Sequence, residues 1–194
     1  RIDEASRGDV AEFAEALEAF GLLDLAMMSG RARNRLQFLD RLDQLAGKRE
    51  TTEKEMHQAL ERNLWVLGTR YALMASNRTL RTVVERYLVK KYDGRRPDER
   101  PDLLLVQNSG DRFLLIELKR PVHELSRDDG AQAMRYRDEI SLHLPGKAID
   151  VPLIGGRRAN MDTRYDTPDC VYQTYSGITS QARFELEWLL ADRS

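Results

Sequence analysis

Three charged residues stand in a stretch that is otherwise apolar. Asp102 precedes the run Leu103-Leu104-Leu105-Val106-Gln107. Glu117 and Lys119 close the run that begins at Arg112, and Asn-Ser-Gly-Asp at 108–111 separates the two. Short branched runs on either side of a glycine-containing turn signal a β-hairpin. A tight turn centred between Ser109 and Gly110 sets the register, so that 108 faces 111, 105 faces 114 and 102 faces 117. Asp102 and Glu117 are then cross-strand neighbours, with Cβ atoms roughly 4.5–5.5 Å apart. Lys119, two positions beyond Glu117, projects from the same face.

Two carboxylates held opposite one another repel, and burial sharpens the conflict. A divalent cation resolves it: Mg²⁺ takes one or two carboxylates together with waters and phosphate oxygens. A lysine beside such a pair can neutralise charge developing on a phosphate or help deprotonate an attacking water. The plainer alternative is an exposed pair at the hairpin mouth, neutralised by Lys119, Arg120 or Arg100, and worth little energetically. Against that alternative stands the apolar character of both strand faces. Leu104, Val106, Phe113 and Leu115 share the charged face, and Leu103, Leu105, Leu114, Ile116 and Leu118 line the other. Strands of that kind are interior, covered by helices.

The elements that must hold this hairpin follow from periodicity. Residues 9–46 read as two helices broken at Gly30 and ended at Gly47. Thr51-Thr52 can cap a third helix with an apolar stripe at Met56, Leu60 and Leu64. A fourth is expected from Thr79 to Tyr92, before Gly94 and Pro97 break the pattern. Beyond the hairpin, residues 127–142 return to helix, with Ser126 or Asp128 as cap. Val151–Gly155 and Cys170–Tyr175 read as strands and 178–191 as a closing helix. The expected class is α/β, a central mixed β-sheet flanked by helices, with a helical segment at 1–48 and the main domain at 51–194.

Composition narrows the classes. With 194 residues, 41% hydrophobic and 32% charged, the chain can bury a core, and no apolar run approaches a membrane span. The single cysteine, Cys170, excludes an internal disulfide and a cysteine-rich zinc site, and a reducing cytoplasm fits that usage. Starting at Arg1 rather than Met, the sequence reads as the tail of a longer protein or as a cloning or cleavage product. Net charge is −1, yet residues 77–101 carry eight Arg or Lys against four acids, a net of +4. Such segregation can give a nearly neutral protein a basic surface, as can a merely solvated helix face. His57, His123 and His143 lack metal-ligand spacing. Gly155-Gly156-Arg157-Arg158 could meet a phosphate, although a basic turn accounts for it more simply.

The pattern Pro101-Asp102, fourteen residues, then Glu117-Leu118-Lys119 resembles the PD-(D/E)xK nuclease signature. Gln132-Ala133-Met134-Arg135-Tyr136, one helix later, resembles the QxxxY motif of the RecB-like branch, and a helix places Gln132 and Tyr136 on one face. Upstream, Glu55-Met56-His57-Gln58-Ala59-Leu60 and Asn63-Leu64-Trp65-Val66-Leu67-Gly68 resemble the opening helix of the Shedu anti-phage nucleases. The proline usual in that family after the asparagine is replaced here by Leu64. The resemblance spans roughly residues 51–175.

It implies a restriction-endonuclease-like fold and hydrolysis of DNA phosphodiesters with Mg²⁺ or Mn²⁺ in defence against phage. Asp102, Glu117 and the Leu118 carbonyl would bind the metal, and Lys119 would act on water or phosphate. Gln132 and Tyr136 would position the scissile group, and Glu55, or failing it Glu61, would complete the site. Arg95, Arg96, Arg100 and Arg120 are the candidate nucleic-acid contacts. A homo-oligomer or an upstream sensor domain would supply the binding surface that a net charge of −1 does not. The alternatives are a nuclease fold that binds nucleic acid or oligomerises without cutting, or a docking domain for a partner ATPase.

Overall fold

The computed structural model describes Glu15, Met27 and residues 29–68, 70–107, 109–158 and 170–191, with side chains as far as Trp188. The helix expected from residue 9 therefore lies almost wholly outside the described residues. The chain divides into two compact units, Arg1–Asp40 with Arg183–Ser194, and Arg41–Ala182. In the first, Arg183 Nη2 donates to Asp40 Oδ1 at 3.0 Å. The second contains every candidate site residue.

Residues 29–47 form helix α1, which runs through Gly30 and ends at Gly47. Gly30 was expected to break the helix. A glycine costs a helix interior only about 1 kcal/mol, and full burial of Leu39 and Leu42, at about 1.5–3 kcal/mol each, outweighs it. Helix α2, Glu53–Glu61, starts at a capping box. The Thr52 hydroxyl accepts from Glu55 N–H, and the Glu55 carboxylate accepts from Thr52 N–H. Its Met56 and Leu60 are fully buried, and a 3-10 turn follows at Leu64–Leu67.

Strand β1, Tyr71–Ser76, was not expected: Ala, Leu and Met are good helix formers, and tertiary pairing overrides that preference. The next element begins as α3, Leu80–Thr82, but passes into a π-turn at Val83–Tyr87. The single helix expected to Tyr92 thus stops early. Val89 sits at φ +54°, and Lys90 N–H closes back on the Val84 carbonyl, which cannot continue a helix.

The hairpin follows as β2, Leu103–Gln107, and β3, Arg112–Leu118, joined through Gly110 at φ +71°. Its register is the expected one, with Leu103 opposite Ile116, Leu104 opposite Leu115 and Leu105 opposite Leu114. Then come β4, Glu124–Leu125; α4, Arg127–Ser141, capped by Ser126; β5, Ala148–Gly155; β6, Arg157–Arg158; β7, Cys170–Thr174; and α5, Tyr175–Ala191. The main sheet has the order β1-β2-β3-β5-β7, antiparallel from β1 to β3 and parallel from β3 to β7, while β4 and β6 form a small parallel pair.

This is an α/β fold with a mixed central sheet and helices packed on it. Leu104, Phe113 and Leu115 share one core with Ala133, Tyr136 and Ile140 of α4, so the face carrying Glu117 is the face that α4 covers. Both faces of β3 are buried, as its apolar sequence requires. Among the described residues no helix is long and apolar enough to cross a membrane.

Candidate active site

Asp102 stands one residue before β2 and continues the register that places it opposite Glu117. Its backbone carbonyl is fixed by Asn77 N–H at 2.8 Å, and His57 Nε2 lies 3.2 Å from the same oxygen. Ser76 Oγ lies 3.2 Å from that His57 nitrogen. The Asp102 carboxylate accepts from Leu118 N–H at 2.7 Å. Within a strand the N–H and C=O of one residue point to the same side. Leu118 therefore turns its carbonyl to the same side of the strand as that N–H.

Glu117 is 5% exposed. Its Oε1 accepts from Lys119 Nζ at 2.9 Å, whereas its Oε2 is buried and has no hydrogen-bond partner. Burial, and then the charge of Asp102, push the Glu117 carboxyl up to about 7. Asp102 is raised as well, first by burial and partly offset by the Leu118 hydrogen bond. Burial opposes the charge on Lys119, but the Glu117 carboxylate prevails and holds the ammonium above its ordinary range.

The lysine is fixed by its backbone as well as its head group. Lys119 N–H donates to the Ile154 carbonyl of β5, and the buried Tyr175 hydroxyl donates to the Lys119 carbonyl, each at 2.8 Å. Lys119 Nζ also reaches Gln132 Oε1 at 3.4 Å, and Gln132 Nε2 donates to the Tyr136 hydroxyl at 2.6 Å. The structure thus brings Asp102, Glu117, Leu118, Lys119, Gln132 and Tyr136 into one connected group.

Glu55 is not part of it. Its carboxylate is exposed and engaged by Thr52 N–H and Oγ1, both at 2.8 Å, and those bonds hold its pKa below the usual range. The α2 acid whose charge reaches the site is Glu53, which adds a smaller upward push to Asp102, Glu117 and Lys119 after burial and their nearer partners. Glu53 and Glu61 line a cleft of about 460 Å³ with His57, Ser76, Asn77 and Asp102. The sequence held the clue: Thr52-Glu53-Lys54-Glu55 is itself a capping-box pattern, which commits Glu55 to the helix end. Tyr175 had no signal in the sequence, because its role depends on where α5 begins.

The expected nucleic-acid contacts are dispersed. Arg95, Arg96, Arg100 and Arg120 are all exposed. Arg96 pairs with Glu99 at 2.8 Å, Arg95 N–H donates to Glu139, and Arg120 Nη2 donates to the Arg49 carbonyl at 3.5 Å.

Among the described residues no three His, Cys, Asp or Glu side chains converge on a metal position. Two carboxylates and a carbonyl suit a cation that keeps several waters, and the unpartnered Glu117 Oε2 is the donor such a cation would take up. The residues present fit Mg²⁺ or Mn²⁺.

No family model matches the sequence, and no curated protein does. Among solved structures, the chain is similar to a repair endonuclease from Pyrococcus abyssi, with 15% identity and a TM-score of 0.45 over 66% of this chain and 47% of that one. The chain therefore spans less than half the length of that neighbour.

Proposed function

We propose that this chain is a metal-dependent nuclease of the PD-(D/E)xK type that hydrolyses DNA phosphodiester bonds. The observation that carries the reading is Glu117. A carboxylate is buried on a sheet face beside a second one, with one oxygen on Lys119 and the other unsatisfied. A buried polar atom without a partner costs about 1–3 kcal/mol, more for a charged group, and such defects are found where a ligand or a reaction uses them.

Asp102, Glu117 and the Leu118 carbonyl would hold Mg²⁺ or Mn²⁺. When bound, the ion supplies Lewis acidity towards a phosphoryl oxygen and lowers the pKa of water. Lys119, anchored at its N–H, carbonyl and ammonium, presents a fixed positive charge where a phosphate gains negative charge. Gln132 and Tyr136 fix the side of that ammonium facing α4 and leave the Tyr136 hydroxyl proton for a phosphate oxygen. Glu53 replaces Glu55 as the α2 acid that completes the electrostatics of the site. The resemblance to Shedu nucleases supports an endonuclease or nickase acting in defence against phage, with a second copy or an upstream domain adding DNA-binding surface.

The test is a cleavage panel of linear duplex, circular duplex, single-stranded DNA and RNA with Mg²⁺ or Mn²⁺ and with EDTA. Nicking or linearisation of circular DNA that EDTA abolishes is expected. Absence of cleavage on every substrate with both metals would overturn the reading.

A further inference from the structure

A second cavity, of about 520 Å³, lies beside the loop that follows Lys119. Its walls are the turn after α1, with Lys48 and Arg49; the loop after β3, with Pro121; and the end of β5, with Gly156 and Arg157. We propose that this cavity binds the backbone phosphates that flank the scissile one on the same nucleic-acid strand. The inference rests on the nuclease reading and adds a site to it.

Position is the first argument. β3 and β5 are parallel neighbours, and the cavity lies just beyond their carboxyl ends, where open α/β sheets bind ligands. Pro121 is two residues from Lys119, so their Cα atoms are at most about 7 Å apart. A duplex strand carries a phosphate about every 3.4 Å along its axis. Phosphates flanking one held at Lys119 are therefore within reach of the cavity.

Charge is the second. Among the described residues, Lys48, Arg49 and Arg157 contribute three cations to the cavity lining and no acid does. None of the three forms an ion pair among the described residues. Glu55 feels the charge of Lys48 but is held by Thr52, and Glu124 lies in register with Arg157 without pairing to it. Arg120 adds a fourth cation at the rim and spends its hydrogen bond on the Arg49 carbonyl. Like charges gathered along one wall repel, and an anion in the cavity lowers that cost.

Rigidity is the third. A Cβ at Gly156 would overlap the Pro121 carbonyl, so two backbones meet there with no room for a side chain. The glycine in Gly-Gly-Arg-Arg thus brings the β5 end against the β3 loop and sets Arg157 at the cavity edge. The phosphate role considered for that motif acquires a location.

The experiment measures binding of the full 194-residue chain to labelled duplex DNA, single-stranded DNA and RNA in EDTA, across roughly 50–200 mM salt. The variant combines Lys48→Ala, Arg49→Ala and Arg157→Ala, and the control combines Arg112→Ala and Lys147→Ala, whose charges are already paired with Asp150 and Asp111. The triple variant is expected to melt like wild type and bind more weakly. Its log K against log salt slope should be shallower by about 0.9 per lost duplex contact, or about 0.7 on a single strand. The strand type losing most slope is the one the cavity holds. An unchanged slope on all three ligands, or an equal loss in the control, would overturn the proposal. Parallel cleavage assays separate the two claims. A wild type that cuts, with a triple variant that binds normally, removes the cavity alone. A shallower slope with no cutting by wild type keeps the cavity and removes the nuclease reading.

Discussion

Lys119 Nζ lies 2.9 Å from one oxygen of Glu117, while the other oxygen of Glu117 is buried with no hydrogen-bond partner. One lysine cannot satisfy both ends of a carboxylate, and Asp102 nearby makes the shortfall worse. The pair therefore sets a fixed cation beside a buried carboxylate oxygen whose lone pairs have no protein partner.

The burial of Glu117 has a pH signature in the metal-free chain. Glu117 moves from its ordinary 4.5 to about 7 on folding, through burial and then Asp102. Between those values the folded chain holds a proton that the unfolded chain has released, so stability falls as pH rises through the window. Asp102, also raised, acts in the same direction. The melting temperature in EDTA should drop by a few degrees between about pH 5 and 7.5, and Glu117→Gln should flatten that decline. A flat wild-type profile would contradict the burial of an unsatisfied carboxylate.

Metal should reverse the trend. Mg²⁺ or Mn²⁺ above its dissociation constant is expected to raise the melting temperature by linkage, more strongly at pH 7.5 than at pH 5.5 because the ligands must be ionised. Asp102→Asn retains an acceptor for Leu118 N–H, and so the local fold, but should remove most of the metal-induced shift. An equal shift in wild type and variant would place the metal elsewhere.

The two acids on α2 separate structure from chemistry. Glu55→Gln weakens the capping box with Thr52 and should lower the melting temperature slightly while cleavage stays near wild type. Glu53→Gln removes a negative charge that acts on Asp102 and Glu117. It should shift the pH profile of cleavage to lower pH and reduce the rate. Cleavage rates and their pH profiles for both variants are the measurement, and loss of activity in Glu55→Gln with none in Glu53→Gln would reverse the assignment.

The hairpin was legible because its signals are local and agree. Two apolar runs and a four-residue turn fix the register that sets Asp102 beside Glu117, and Leu104 does pair with Leu115. The π-turn and β1 were not, because each depends on distant partners. Tyr71-Ala72-Leu73-Met74 becomes a strand only by pairing with β2. Choosing among the acids of α2 needed one more step, since Glu53 and Glu55 are two residues apart and a helix sends them in different directions.

Cleavage should depend on Lys119 more than on any other side chain of the group. Wild type and Lys119→Ala are compared for single-turnover cleavage of circular DNA in saturating Mg²⁺ or Mn²⁺, with the metal-induced melting shift measured on both. A loss of at least roughly 10²-fold in rate is expected, the scale of removing a group that stabilises charge in the transition state, with the melting shift retained. Cleavage by Lys119→Ala at the wild-type rate would contradict it.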